Sequence, residues 1–158
     1  MDFYSPTHGK LTRASLKQRT SQFMKSDQQA QYRIVIGVDS QRNAKHTFDF
    51  VTAVVIQRIG KGGIYFWKRE VISKKIGLKE RMYTEAIMSL QEAEDVIELF
   101  KGTGVNKYDI EIHVDIGPNG KTKELINEIV GMVRSSGYTV RIKPDSFGAS
   151  KVADRHTN

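Results

Sequence analysis

The chain has 158 residues, enough for one domain with a sizeable core, and no cysteine, which excludes disulfides, zinc–thiolate sites and thiol catalysis. Its formal charge of +7, from 25 Lys/Arg against 18 Asp/Glu, favours an anionic partner such as nucleic acid. With no signal peptide and no run of about 18 or more apolar residues in view, the expectation is a soluble cytoplasmic protein with no membrane span.

In chain order, residues 1–31 are polar and basic and read as an N-terminal arm, with Leu16, Phe23 and Met24 marking one face of a short helix within residues 13–24. The main domain is expected over residues 32–158. It begins with residues 32–40 (YRIVIGVDS), a nearly unbroken β-branched run that stops at Asp39 and Ser40. A strand apolar on both faces is covered on both, so this run is expected at the centre of a layered sheet. Asp39 then stands at the carboxyl end of a buried strand, where open α/β sheets place their ligands.

Residues 48–59 form a second β-rich run, GKGG at 60–63 a hairpin turn, and residues 64–72 a third strand, together an antiparallel meander. From Lys79 the period changes. Met82, Ala86, Leu90, Ala93, Ile97 and Phe100 recur at three- and four-residue steps, the stripe of a helix of about twenty residues that Gly102 and Gly104 stop. Residues 108–116 alternate as a strand, with Ile110, Ile112, Val114 and Ile116 on one face and Asp109, Glu111, His113 and Asp115 on the other. A Gly-Pro-Asn-Gly turn leads to a helix over 121–136, a short strand over 138–142 and a last helix over 149–156. The order βββ-α-β-α-β-α predicts an α/β domain with a five-stranded mixed sheet and helices on both faces.

Four acids fall at telling places in this order: Asp39 ends strand one, Glu85 lies in the first turns of the long helix, Asp115 ends strand four, and Asp154 is in the last helix. If strands one and four are parallel neighbours, Asp39 and Asp115 meet at one sheet edge. Glu85 borders the apolar stripe of its helix and reaches the same point. Close carboxylates raise one another's pKa and stay ionised only beside cations. Hard oxygen ligands without cysteine point to Mg2+ or Mn2+, two of which about 3.5–4 Å apart would activate a water and steady the leaving oxygen in phosphodiester cleavage.

Each residue also has a plainer role: Asp39 and Asp115 suit turns, Glu85 a solvated helix face and His113 a hydrogen-bonded core position. His156, two residues after Asp154, faces away from it on a helix. Residues 115–122 (DIGPNGKT) sit where a phosphate-cradling loop would, and would make the protein a nucleotide-binding regulator. That pattern requires glycine where Asp115 stands, and Pro118 removes a donor. In the hairpin, Arg58, Lys61, Lys68, Arg69, Lys74 and Lys75 interleave with Tyr65, Phe66 and Trp67, a candidate nucleic-acid surface.

The element order, with Asp39 in IGVDSQ, Glu85 in YTEA, Asp115 in HVDIG and Asp154 in KVADRHT, resembles the ribonuclease H-like superfamily. IGVDSQ, FVTAVVI, GKGGIYFWKRE, YTEAIMSL and HVDIG resemble more closely the bacterial family named after YkuK. The resemblance implies that Asp39 bridges two metal ions while Glu85, Asp115 and Asp154 complete the site of a nuclease acting on RNA or DNA. The basic protrusion of some ribonucleases H has no counterpart here. The alternative is a nucleic-acid-binding module that keeps the fold and cleaves nothing.

Overall fold

Along residues 2–116, 123–142 and 156, which the computed structural model describes, the chain forms β1 (Phe3–Ser5), β2 (Gly9–Leu11), α1 (Arg13–Lys25), β3 (Tyr32–Arg42), β4 (Phe48–Arg58), β5 (Gly63–Ile72), α2 (Leu78–Leu99), β6 (Ile110–His113), α3 (Lys123–Ser135) and β7 (Thr139–Arg141). A single mixed sheet runs in the order β2-β1-β5-β4-β3-β6-β7. The five strands expected from sequence are therefore corrected to seven, because the N-terminal residues add β1 and β2 at the β5 edge through the Tyr4↔Trp67 pair. Strands of three residues are too short to display a period of two, so composition alone made this segment look like an arm. Phe3 and Leu16 are nonetheless buried to 0% and 1% exposure, and the Thr12 hydroxyl caps α1 by accepting from the Ser15 amide at 3.2 Å.

The meander follows the expected pattern. β3 pairs with β4 along its whole length, from Tyr32↔Arg58 to Arg42↔Phe48, and β4 pairs with β5 from Phe48↔Ile72 to Gln57↔Gly63. The turn between β4 and β5 needs its glycines. Gly60 and Gly62 have φ of 80° and 81°, and a Cβ on Gly63 would lie 2.4 Å from the Ile56 carbonyl oxygen. On its other side β3 pairs in parallel with β6, from Ile34↔Ile110 to Gly37↔His113, which is the neighbour relation expected of strands one and four.

Alternation divides the sheet into two faces. Ile34 and Ile36 of β3, Val54 and Ile56 of β4, Phe66 of β5 and Ile110 and Ile112 of β6 form the first face, covered by Leu16 of α1, Met82, Ala86, Ala93 and Val96 of α2, and Ile126, Ile129 and Val133 of α3. Burial of each large apolar side chain there contributes about 1.5–3 kcal/mol. The second face carries Val35, Val51, Ala53, Val55 and Trp67. All three described helices lie on the first face. The predicted helix over 149–156 lies outside the described residues except for His156, whose ring stacks on Trp67 at 4.3 Å.

One ion network joins α1, α2 and β5 beneath the first face. Glu92 is 1% exposed; its carboxylate receives both terminal nitrogens of Arg13 at 3.1 Å and lies 2.7 Å from Lys68 Nζ. A buried carboxylate is tolerable only when cations and hydrogen bonds replace its hydration, so Arg13 and Lys68 hold Glu92 in place. No described helix is long and apolar enough to cross a membrane.

Candidate metal centre at the end of β3

Strand alternation sends Asp39 and Ser40 to opposite faces of β3, and the end of β3 is where α2 crosses. Ser40 points to α2, where its hydroxyl donates to Glu85 Oε1 at 2.5 Å. The same hydroxyl accepts from Arg81 Nε at 3.2 Å, while Arg81 also donates to the Ser40 carbonyl at 2.8 Å and lies over the Phe48 ring. Arg81 and Glu85 are four residues apart on α2, the spacing that puts two side chains on one helix face. Ser40 is thus a clamp that fixes Glu85 against β3, within range of the charge of Asp39.

This setting changes the acid chemistry of Glu85. Its pKa is pushed up to about 7, chiefly by burial and further by the negative charge of Asp39, while the Ser40 hydroxyl and amide and the Arg81 charge pull it down. A carboxyl group that titrates near neutrality beside a second carboxylate suits either proton transfer or a cation that relieves the repulsion.

Asp115 is exposed, two residues past the end of β6. The β3–β6 register runs from Ile34↔Ile110 to Gly37↔His113, and beyond it the Ile116 amide bonds the Val114 carbonyl at 2.9 Å, a turn around Asp115. The Val114 amide donates to the Arg141 carbonyl at 2.9 Å, which holds this stretch alongside β7. Among the described residues, however, no group of three or more acids and histidines converges closely enough to hold one metal ion. Glu85 is held against the β3 residue next to Asp39 and feels the charge of Asp39, Asp115 follows the end of β6, and Asp154 lies outside the described residues, as does the loop over 117–122 that a nucleotide-binding regulator would use.

The six basic residues of the hairpin have diverse partners. Arg58 bonds the Tyr32 hydroxyl at 3.0 Å and the Phe23 carbonyl at 2.6 Å, Lys61 pairs with Asp27 at 3.4 Å, Lys68 belongs to the Glu92 network, and Lys74 pairs with Glu80 at 3.2 Å. Lys75 is exposed. Arg69 differs. The pairs Asp39↔Val51 and Val51↔Arg69 place it in the same row as Asp39, two strands away or roughly 10 Å, on the second face, with its guanidinium over Trp67. Of the hairpin aromatics, Phe66 is buried in the first-face core, whereas Trp67 stacks between Tyr4 and His156 on the second face.

Sequence reasoning did not single out Ser40, Arg81 or the buried Asp49, which accepts from Asn43 at 3.0 Å two pairs beyond Asp39 on β4. The four-residue step from Arg81 to Glu85 was a visible signal. The Ser40 contact was not, because it depends on where α2 crosses β3.

An antiparallel meander β3–β4–β5 joined through α2 to the parallel strands β6 and β7 in one mixed sheet is consistent with the ribonuclease H-like fold. The chain belongs to that family, whose model, described as ribonuclease H-like, matches residues 15–158. It is 32% identical to the uncharacterized protein YkuK of Bacillus subtilis (strain 168), an alignment covering 98% of this chain and 96% of that protein. No solved structure matches the chain significantly.

Proposed function

We propose that the protein is a divalent-metal-dependent nuclease that hydrolyses RNA or DNA phosphodiesters. The observation that carries this reading is Glu85, fixed by Ser40 next to Asp39 in the chain and raised to about 7 chiefly by burial and further by the charge of Asp39. Two oxygen donors whose repulsion a cation would relieve fit Mg2+ or Mn2+, hard ions that prefer carboxylates. Asp39, Glu85, Asp115 and Asp154 are the residues that would hold the metal. Bound metal supplies the positive charge that activates an attacking water and stabilises the leaving oxygen. Ser40 and Arg81 hold Glu85 against β3, and Arg69, in the row of Asp39, is suited to a substrate phosphate.

A second reading has an observation in its favour. No third described acid closes on Asp39 and Glu85, which suits a nucleic-acid-binding module that retains the family's fold without hydrolysis. One experiment separates the two. Wild type and Asp39→Asn are incubated with labelled single-stranded, duplex, hybrid and branched nucleic acids, with Mn2+ or with chelator. Metal-dependent cutting by wild type that falls at least a hundredfold in Asp39→Asn supports the nuclease. Binding without cutting by either protein supports the module, and cutting that Asp39→Asn retains overturns the metal-site assignment.

A further inference from the structure

A cavity of about 430 Å³ opens on the second face of the sheet, lined among the described residues by Arg33, Gln57, Tyr65, Glu111, His113 and Arg141 together with aliphatic and glycine neighbours. At its polar end Glu111, with a side chain only 11% exposed, lies 3.0 Å from Arg33 Nε, 3.4 Å from Arg141 Nε and 3.2 Å from His113 Nε2. This cluster sets the two guanidinium groups of Arg33 and Arg141 against the one carboxylate of Glu111. Both arginines approach Glu111 through Nε, at 3.0 Å from Arg33 and 3.4 Å from Arg141. The result is a half-enclosed space with an excess positive charge and guanidinium donors suited to forked contact with an oxyanion.

The space is larger than a bare anion fills, and falls in the range of small-ligand sites. Its opposite wall offers a flat surface: Tyr65, whose hydroxyl meets His156 Nε2 at 3.3 Å, which holds the ring in place. Gln57 adds an amide able both to donate and to accept. The pairs Gly37↔His113 and His113↔Arg141 put this end of the cavity two residues, roughly 6.6 Å, from the level of Asp39 along β3.

We propose that this cavity binds a nucleoside phosphate, with the phosphate held by Arg33 and Arg141 and the base against Tyr65 and Gln57. When the substrate is a strand, the bound unit is the nucleotide adjoining the bond at Asp39 and Glu85; that placement rests on the nuclease reading, whereas the binding itself does not.

The test is calorimetric titration of the four nucleoside 5′-monophosphates, the matching nucleosides and inorganic phosphate into full-length protein in chelator, so that no metal site contributes. At least one monophosphate binds in wild type, at least tenfold more tightly than its nucleoside and than phosphate. Arg141→Gln, on an edge strand with a side chain 49% exposed, weakens that binding at least tenfold while the melting temperature holds. Arg33→Gln does the same. Absence of binding at millimolar ligand, or affinity unchanged in both variants, overturns the proposal. A short oligonucleotide that displaces the monophosphate supports the placement beside Asp39, and failure to displace it overturns that placement. If no nucleic acid is cut and Arg141→Gln still loses the monophosphate, the nuclease reading fails and the cavity stands. If Asp39→Asn abolishes cutting and Arg141→Gln binds as wild type does, the cavity fails alone.

Discussion

Ser40 donates its hydroxyl to Glu85 at 2.5 Å across the junction of β3 and α2, and through that bond the residue after Asp39 decides where the helix carboxylate sits. The pair Asp39 and Glu85 is held by a neighbour that need not touch either metal or substrate. Ser40→Ala removes a hydroxyl that serves Glu85 and Arg81 together. It is expected to destabilise the fold by about 1–2 kcal/mol, the cost of leaving such buried partners unmet. It should also raise the Glu85 pKa further, since that hydroxyl favours the ionised form. Urea melts together with carboxyl NMR titration of the two proteins check both effects; an unmoved titration would mean that the bond does not orient Glu85.

Glu85 makes the metal-free fold sensitive to pH. Below its ordinary value of 4.5 the group is protonated in folded and unfolded chains alike, and in the folded chain it ionises only near pH 7. Its contribution is therefore most favourable at low pH and is lost as pH rises from 4.5 through 7. At about 1.4 kcal/mol per unit, less an allowance for partial exposure, the loss is roughly 2–3 kcal/mol. Glu85→Gln should flatten this part of the stability–pH curve, as measured by denaturant melts in chelator between pH 4 and 8.

Cation binding should act in the opposite direction. Mn2+ at about a hundred times its dissociation constant is expected to add about 2.7 kcal/mol to wild-type stability. The gain should vanish in Asp39→Asn and shrink in Glu85→Gln. Thermal melts with Mn2+, Ca2+ and chelator measure it, and equal gains in all three proteins would place the ion elsewhere.

Lys68 and Arg69 are neighbours in sequence with opposite expected effects. Lys68 lies 2.7 Å from the buried Glu92, so Lys68→Ala should cost about 3 kcal/mol or more by leaving that carboxylate undercompensated. Arg69 is exposed in the row of Asp39, so Arg69→Ala should change stability by less than about 0.5 kcal/mol. It should weaken nucleic-acid binding and reduce its salt slope by about one unit. Melting curves and salt-dependent binding isotherms of the two variants decide between a structural and a contact role for each.

Gly63 offers a test of the hairpin. A Cβ there meets the Ile56 carbonyl at 2.4 Å, a contact only backbone movement can relieve. Gly63→Ala should cost about 1–3 kcal/mol, as overpacking does. Gly77→Ala, where a Cβ meets nothing within 4 Å, is the control in the same denaturation assay.

Local pattern was enough for much of this architecture. The apolar run that ends in Asp39, the GKGG turn, the three-and-four stripe from Met82 to Phe100 and the alternation from Ile110 to His113 each carry their period in the chain itself. The parallel pairing of β3 with β6 followed from element order. The two N-terminal strands did not show, because three residues carry no period, and it took the pairing of Tyr4 with Trp67 to make them part of the sheet. At the candidate site, the strand of Asp39 and the helix of Glu85 were legible, but β3 runs on past Asp39 to Arg42 and α2 starts at Leu78, about two turns before Glu85. Their joining by Ser40 and the raised pKa of Glu85 were decided by how α2 crosses β3, a long-range packing relation. The same holds for Lys68, a basic hairpin residue by sequence and the partner of a buried glutamate by packing. The cavity at Glu111 likewise draws its charged groups from three different strands. Side-chain periodicity is written over a few neighbouring residues, whereas the partner of a charge is chosen by whichever distant element packs against it.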